Sequence, residues 1–191
     1  MTPKQRKLME TALKLFQKKG FKGVTVEEIC RTSDVSKMTF YKHFLNKEDL
    51  VLQIIKKLYN DAIEEGKSVL NSSKPHRDRI ADLLEWKIKL LDQFTPPMLL
   101  DMKDFDPSLE IFIKQKSSES LSLLKDFIRD GQEEGVFRKN LNIGFLIHIF
   151  QILSNCFFSE NLEQYFTSYE DYIREYLDFL FYGLADREHK T

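Results

Sequence analysis

Six residues within seven consecutive positions, Lys37, Met38, Thr39, Tyr41, Lys42 and His43, offer ammonium groups, hydroxyls, a thioether and a ring nitrogen along one short segment. Phe40 and Phe44 lie one helical turn apart in the same stretch, so a helix here would bury the phenylalanines and leave Lys37, Met38, Thr39, Lys42 and His43 facing outward, while the Tyr41 ring suits either packing alone or burial with its hydroxyl reaching out. That chemistry suits charge pairing and hydrogen bonding with a polyanion. An α-helix fits the major groove of B-DNA, where cations and hydroxyls meet phosphates and base edges. Lys37, Met38 and Thr39, near the start of the segment, are base-edge candidates: an ammonium donates to guanine O6 or N7, and Thr or Met touches a thymine methyl. Thr25, Tyr41, Lys42, His43 and Lys47 are phosphate-type candidates, and the N-cap Ser36 completes the DNA-binding set.

The elements that must position these residues are legible from their caps. Thr2 and Gln5 form a capping box with Pro3 at the first helical position, and Leu8, Ala12, Leu15 and Phe16 stripe a helix over 3–19 that Gly20 ends. Thr25 and Glu28 form a second box, and Val26, Ile29 and Cys30 give the next helix a small apolar face. Ser33-Asp34 breaks it, Val35 returns to the core, and Ser36 caps the basic helix. Asn46 caps a further helix with Lys47 as its first residue, where a lysine beside free N–H groups can hold a phosphate. Phe21 and Val24 are expected to pack onto the two motif helices. A unit this small has too little core to stand alone and should lean on later residues. Lys14, Lys18, Lys19 and Lys22 gather at the end of the first helix, a pattern that suits a solvated face or contact with the DNA backbone.

The run TVEEIC…VSKMTFYKHF, followed by NKEDL, resembles the helix-turn-helix signature of the TetR family of bacterial transcriptional regulators over residues 4 to about 55. The family usually carries Ala-Gly before the Val-Ser, where this chain has Ser33-Asp34; Asp tolerates the left-handed backbone that the glycine normally supplies. The resemblance implies that Tyr41 and Lys47 hold the DNA backbone, that the protein is a homodimer, and that an inducer binds in the helical body. A loop over 131–138, with Glu134-Gly135 and then Arg138, also resembles the family.

Composition agrees with a helical regulator. The 191 residues are 42% hydrophobic with only 7 Gly and 5 Pro, which favours a globular all-α chain. The net charge of −1 hides an asymmetry. Residues 1–50 hold 11 Lys and Arg against 6 Asp and Glu, a net +5, and the remainder carries the opposing −6. A basic head on an acidic body is the electrostatic layout of a DNA-binding domain joined to a sensor or partner domain. No apolar run reaches the roughly 18 residues of a membrane span, and the first residues lack an apolar signal core, so a cytoplasmic protein is expected. Cys30 and Cys156 lie in apolar stretches and read as buried thiols. The four histidines have no metal-ligand spacing, and no phosphate loop or nucleophile motif occurs, so neither enzyme, metal site nor cofactor is expected.

Beyond residue 46 the pattern is a helical body. Leu50, Val51, Ile54, Ile55, Leu58 and Ala62 predict a connector helix over 47–70, followed by a loop at 71–75. Further helices are expected over 76–94, ended by Thr95-Pro96-Pro97, and from Pro107 to about 134, with a short apolar piece at 98–105 between them. Trp86, Leu90, Phe94, Met98, Met102, Phe105 and Phe112 fall near the proline-rich kinks, where helices splay. They are the ligand-binding candidates, for a small and largely apolar effector, although such a stripe also suits plain core. The segments 143–159 and 168–185 are apolar nearly all round, which predicts burial on every side. Pairing with their copies into a four-helix bundle would achieve this, through Phe150, Leu153, Phe157, Ile173, Leu177, Leu180 and Phe181. His148 reads as a core or interface histidine.

The sequence therefore predicts an all-α chain of about nine helices: a three-helix DNA-binding domain over 1–46 and a ligand-binding and dimerisation domain over 47–191. The expected function is a repressor that binds a palindromic DNA operator as a homodimer and is released by a small effector. A body that answers to a protein partner instead is the alternative.

Overall fold

The structure, a computed structural model, describes residues 1–91, 93–102, 105–156, 171, 174 and 175. The described residues form eight α-helices: α1 (Pro3–Lys19), α2 (Val26–Ser33), α3 (Lys37–His43), α4 (Lys47–Leu70), α5 (His76–Leu91), α6 (Pro96–Met102), α7 (Pro107–Glu133) and α8 (Ile143–Cys156). They divide into two compact units, one of Met1–Ala62 with Leu90–Lys116, the other of Ile63–Lys89 with Ser117–Thr191.

In the first unit each helix start follows its local chemistry. Thr2 Oγ1 accepts the N–H of Gln5 at 3.2 Å, Thr25 Oγ1 that of Glu28 at 3.1 Å, and Ser36 Oγ that of Thr39 at 3.2 Å. At the head of α4, Asn46 Oδ1 accepts from Asp49 N at 2.8 Å, while Asp49 Oδ2 accepts from Leu45 N at 2.9 Å. Such caps satisfy N–H groups that the helix itself leaves open, each worth about 1 kcal/mol. Asp34 ends α2 in the left-handed conformation, φ 52° and ψ 44°. The turn is thus kept with an Asp where a Gly is usual.

The core of this unit draws Leu8, Ala12 and Phe16 from α1, Ile29 from α2, Phe40 from α3, and Leu50, Val51 and Ile55 from α4, with Phe21, Val24 and Phe44 from the connecting turns. Burying each of the larger side chains contributes about 1.5–3 kcal/mol. The head does lean on later residues: Phe94, Met98, Met102 and Leu109 complete the same core. Three polar contacts fix them there. Lys22 N donates to Asp101 Oδ2 at 2.8 Å, Thr95 Oγ1 to Gln17 O at 2.7 Å, and Gln17 Nε2 to Gln93 O at 3.3 Å. The prolines act differently from the expectation of a simple stop. The preceding helix ends at Leu91, short of 94, and Pro96 and Pro97 open α6, because the first turn of a helix needs no N–H from them.

The second unit is built around Leu70, Phe127, Ile128, Phe137 and Leu146. His76, at the start of α5, is buried and stacks on Phe127 at 4.7 Å. Its Nε2 donates to Phe127 O at 3.2 Å, and its Nδ1 lies 2.7 Å from Glu134 Oε2. After α7 the chain turns back on Gly131, whose carbonyl accepts from Val136 N at 2.8 Å and Phe137 N at 3.0 Å. A Cβ on Gly131 would stand 2.3 Å from the Phe137 ring, so this close approach needs a glycine. In α8, Leu146 is buried, but Phe145 is 61% exposed and His148 is exposed. Phe150 and Leu153 belong to α8, but their side chains lie outside the described residues, as do Phe157, Ile173, Leu177, Leu180 and Phe181.

Candidate nucleic-acid interface

Burial of Phe40 and Phe44 fixes which side of α3 looks outward. Lys37, Lys42, Met38 (71% exposed) and Tyr41 (56% exposed) occupy that outer side. The Tyr41 ring rests edge-on against Phe40 at 5.2 Å, so one face is anchored while the phenol reaches solvent. Ser36 is exposed, and its hydroxyl lies 3.0 Å from that of Thr39, which is half-buried. The Thr39 hydroxyl is thereby oriented by the cap of its own helix. His43 is also half-buried, with Nε2 3.3 Å from Thr2 Oγ1, which joins the end of α3 to the start of α1. Thr25 is exposed at the cap of α2 and, with Glu27, Glu28 and Arg31, lines an open recess of about 340 Å³.

Lys47 has a role that its sequence position does not reveal. Its ammonium donates to the carbonyls of Phe21 and Val24, at 2.9 Å each. It therefore ties the turn between α1 and α2 to the first residue of α4. An ammonium carries three donors, so a phosphate contact remains chemically open beside these two bonds. The basic cluster at the end of α1 is partly paired: Lys19 meets Glu28 at 2.5 Å, and Lys22 meets Asp101 at 3.9 Å.

Two residues on this side escape the sequence reading. Leu45, two residues past His43 at the end of α3, is 84% exposed. Glu27, in the first turn of α2, pairs with Lys37 through a side-chain hydrogen bond. That bond holds the Glu27 carboxyl below the usual carboxylate range and raises the Lys37 ammonium. The signal for Glu27 was its place two residues after the cap Thr25; what no local pattern contains is its partner ten residues on.

Six of the seven ligand candidates lie in or against the core of the first unit. Phe94, Met98 and Met102 are buried in the core shared with the head, and Leu90, Phe105 and Phe112 pack against it half-buried. Phe105 meets Phe21 at 5.6 Å, and Tyr59 meets Phe94 at 5.3 Å and Phe112 at 6.1 Å. Trp86 belongs to the second unit, where its ring lies 3.1 Å from where a Cβ on Gly66 would be.

An outward α3 set on a buried aromatic pair, with α2 before it and a left-handed turn between, defines a helix-turn-helix protein. The profile of "bacterial regulatory proteins, tetR family" matches residues 8–54. The chain is similar to the HTH-type transcriptional regulator YuxN of Bacillus subtilis, 40% identical over 60 residues, which are 31% of this chain and 21% of that protein's own length. Similarity to the HTH-type transcriptional repressor NicS of Pseudomonas putida is lower but longer, 25% over 195 residues, covering 96% of this chain and 84% of NicS. Among solved structures, a transcriptional regulator from Saccharomonospora viridis in complex with choline has a similar fold, with a TM-score of 0.78 and 22% identity over 96% of this chain and 98% of that one. Residues 8–54 therefore match the DNA-binding region of the TetR family of bacterial regulatory proteins.

Proposed function

We propose that the chain is a transcriptional repressor that binds a palindromic operator as a homodimer and acts by binding rather than catalysis. The observation that carries this reading is the outer side of α3, where Lys37, Met38, Tyr41 and Lys42 are exposed above buried Phe40 and Phe44. Lys37, Met38 and Thr39 read base edges, and Thr25, Ser36, Tyr41, Lys42, His43 and Lys47 engage the backbone. Residues 1–46 are the reading domain, and 47–191 form the effector-binding and dimerisation domain, with α4 as connector. The exposed Phe145 on an α8 free of Lys, Arg, Asp and Glu supports pairing of that helix with a second copy.

A small, largely apolar effector then releases the DNA. Phe94, Met98, Met102 and Phe105 share a core with the reading helices, so an effector that inserts among them favours a different packing of the head. It weakens DNA binding only as far as it prefers that packing, typically about 5- to 150-fold. Selection of bound duplexes from a random pool tests the proposal. An inverted repeat with half-sites one or more helical turns apart is the expected result. A single unrepeated site would remove the homodimer, and no enrichment would overturn sequence-specific DNA reading by the chain on its own and favour a role that depends on a protein partner.

A further inference from the structure

The ion pair between Glu27 and Lys37 sets a carboxylate of α2 against the first residue of α3, whose outer side is otherwise suited to a polyanion. Both groups are well exposed, 62% and 53%, and they come from different helices, α2 and α3. A carboxylate at such a surface repels phosphate. It is favourable only against a hydrogen-bond donor, and in the major groove the donors are the amino groups of cytosine N4 and adenine N6. A G·C pair presents N7 and O6 of guanine next to the N4 amino group of cytosine. Two neighbouring acceptors followed by one donor match an ammonium followed by a carboxylate.

We infer that Glu27 is a specificity-determining residue: it positions the Lys37 ammonium on guanine and accepts a hydrogen bond from the N4 amino group of the cytosine paired with that guanine. This deepens the proposed DNA-reading function and rests on it. Before DNA arrives, the pair holds Lys37 in place, since its hydrogen bond to Glu27 is internal to the head. With Lys37 and Glu27 held in this order, an A·T pair sets the thymine O4 carbonyl against the carboxylate and a C·G pair sets a guanine acceptor there, and either leaves it unpaired. Glu27 thus lowers affinity for all other sequences more than it raises affinity for the right one.

The test is parallel selection from a random duplex pool with the full-length wild type, Glu27→Gln and Glu27→Ala, followed by affinity measurements on the wild-type motif at several salt concentrations. The wild type should require one G·C pair at a fixed place in each half-site. Both variants should lose about tenfold or more of that preference while keeping the rest of the motif. Their affinity for unrelated duplexes should rise, because a repelling charge is gone. Both side chains are exposed, and unchanged thermal melting of the variants would show that the head is intact. If the variants melt as the wild type does and retain the G·C preference within twofold, Glu27 is only a solvated partner of Lys37 and the assignment is overturned. A wild type that selects no motif would overturn the DNA-reading function itself, and Glu27's role with it.

Discussion

Asp101, in α6, accepts the main-chain N–H of Lys22 at 2.8 Å, so a carboxylate 79 residues away in sequence holds the turn that follows α1. The contact is close enough that a Cβ on Gly20 would stand 2.4 Å from the same Asp101 oxygen, and Gly20 itself has φ 70°. Asp101→Ala should cost about 1–3 kcal/mol through loss of a hydrogen bond to a charged carboxylate. Gly20→Ala should also destabilise, through strain at positive φ and the clash. Urea denaturation of the two variants checks both, and wild-type midpoints would contradict the docking of α6 on the head.

Lys47→Ala should have two effects. Loss of its bonds to Phe21 and Val24 should lower stability by about 1–3 kcal/mol, read as a drop in melting temperature. DNA affinity should fall by a similar factor for selected and unrelated duplexes, since neither the turn nor the backbone carries sequence information. A change in base preference would contradict this division of roles.

How much of this was legible in the sequence depends on range. The starts of α1, α2, α3, α4 and α7 were readable because a cap is a contact between residues two or three apart: Thr2 with Gln5, Thr25 with Glu28, Ser36 with Thr39, Asn46 with Asp49, Asp106 with Ser108. The outward side of α3 was readable because Phe40 and Phe44 are one turn apart and both apolar. The partners of Asp101, Lys47, His76 and Glu27 were not. Each is chosen by where a distant helix brings a carbonyl, an N–H or a charge, and periodicity does not encode that. The aromatic stripe at 94–112 shows the same limit. Its spacing declares burial, but only the packed core shows that Phe94, Met98 and Met102 bury against the reading head.

Gly131→Ala should disrupt the second unit. The added methyl would meet Phe137 at 2.3 Å, and overpacking of this kind costs about 1–3 kcal/mol. Hydrogen exchange should show faster opening of amides over 117–133 and in α8 than in α1–α3. Equal acceleration throughout would show that the two compact units do not unfold separately.

Tyr59 supplies a pH signature of the first core. Burial pushes its phenol up to about 12, because the phenolate loses its water among Phe94 and Phe112. The native state holds the proton over the interval in which an unfolded tyrosine, at about 10, has lost it. The stabilisation is therefore fully present below about pH 10 and falls away as the pH rises toward 12, by about 2–3 kcal/mol. Ultraviolet titration should show a late-ionising tyrosine that is missing from the titration of Tyr59→Phe. Ionisation of all tyrosines together near pH 10 in the folded protein would contradict the packing.

The most direct test of the central claim is the salt dependence of binding to a selected duplex and to a scrambled one of the same composition. A reading head built on the outer side of α3 should bind the selected duplex about 1,000-fold or more tightly. For both duplexes log affinity should fall linearly with log salt as counterions are released. Equal affinity for the two duplexes, or binding indifferent to salt, would contradict the account.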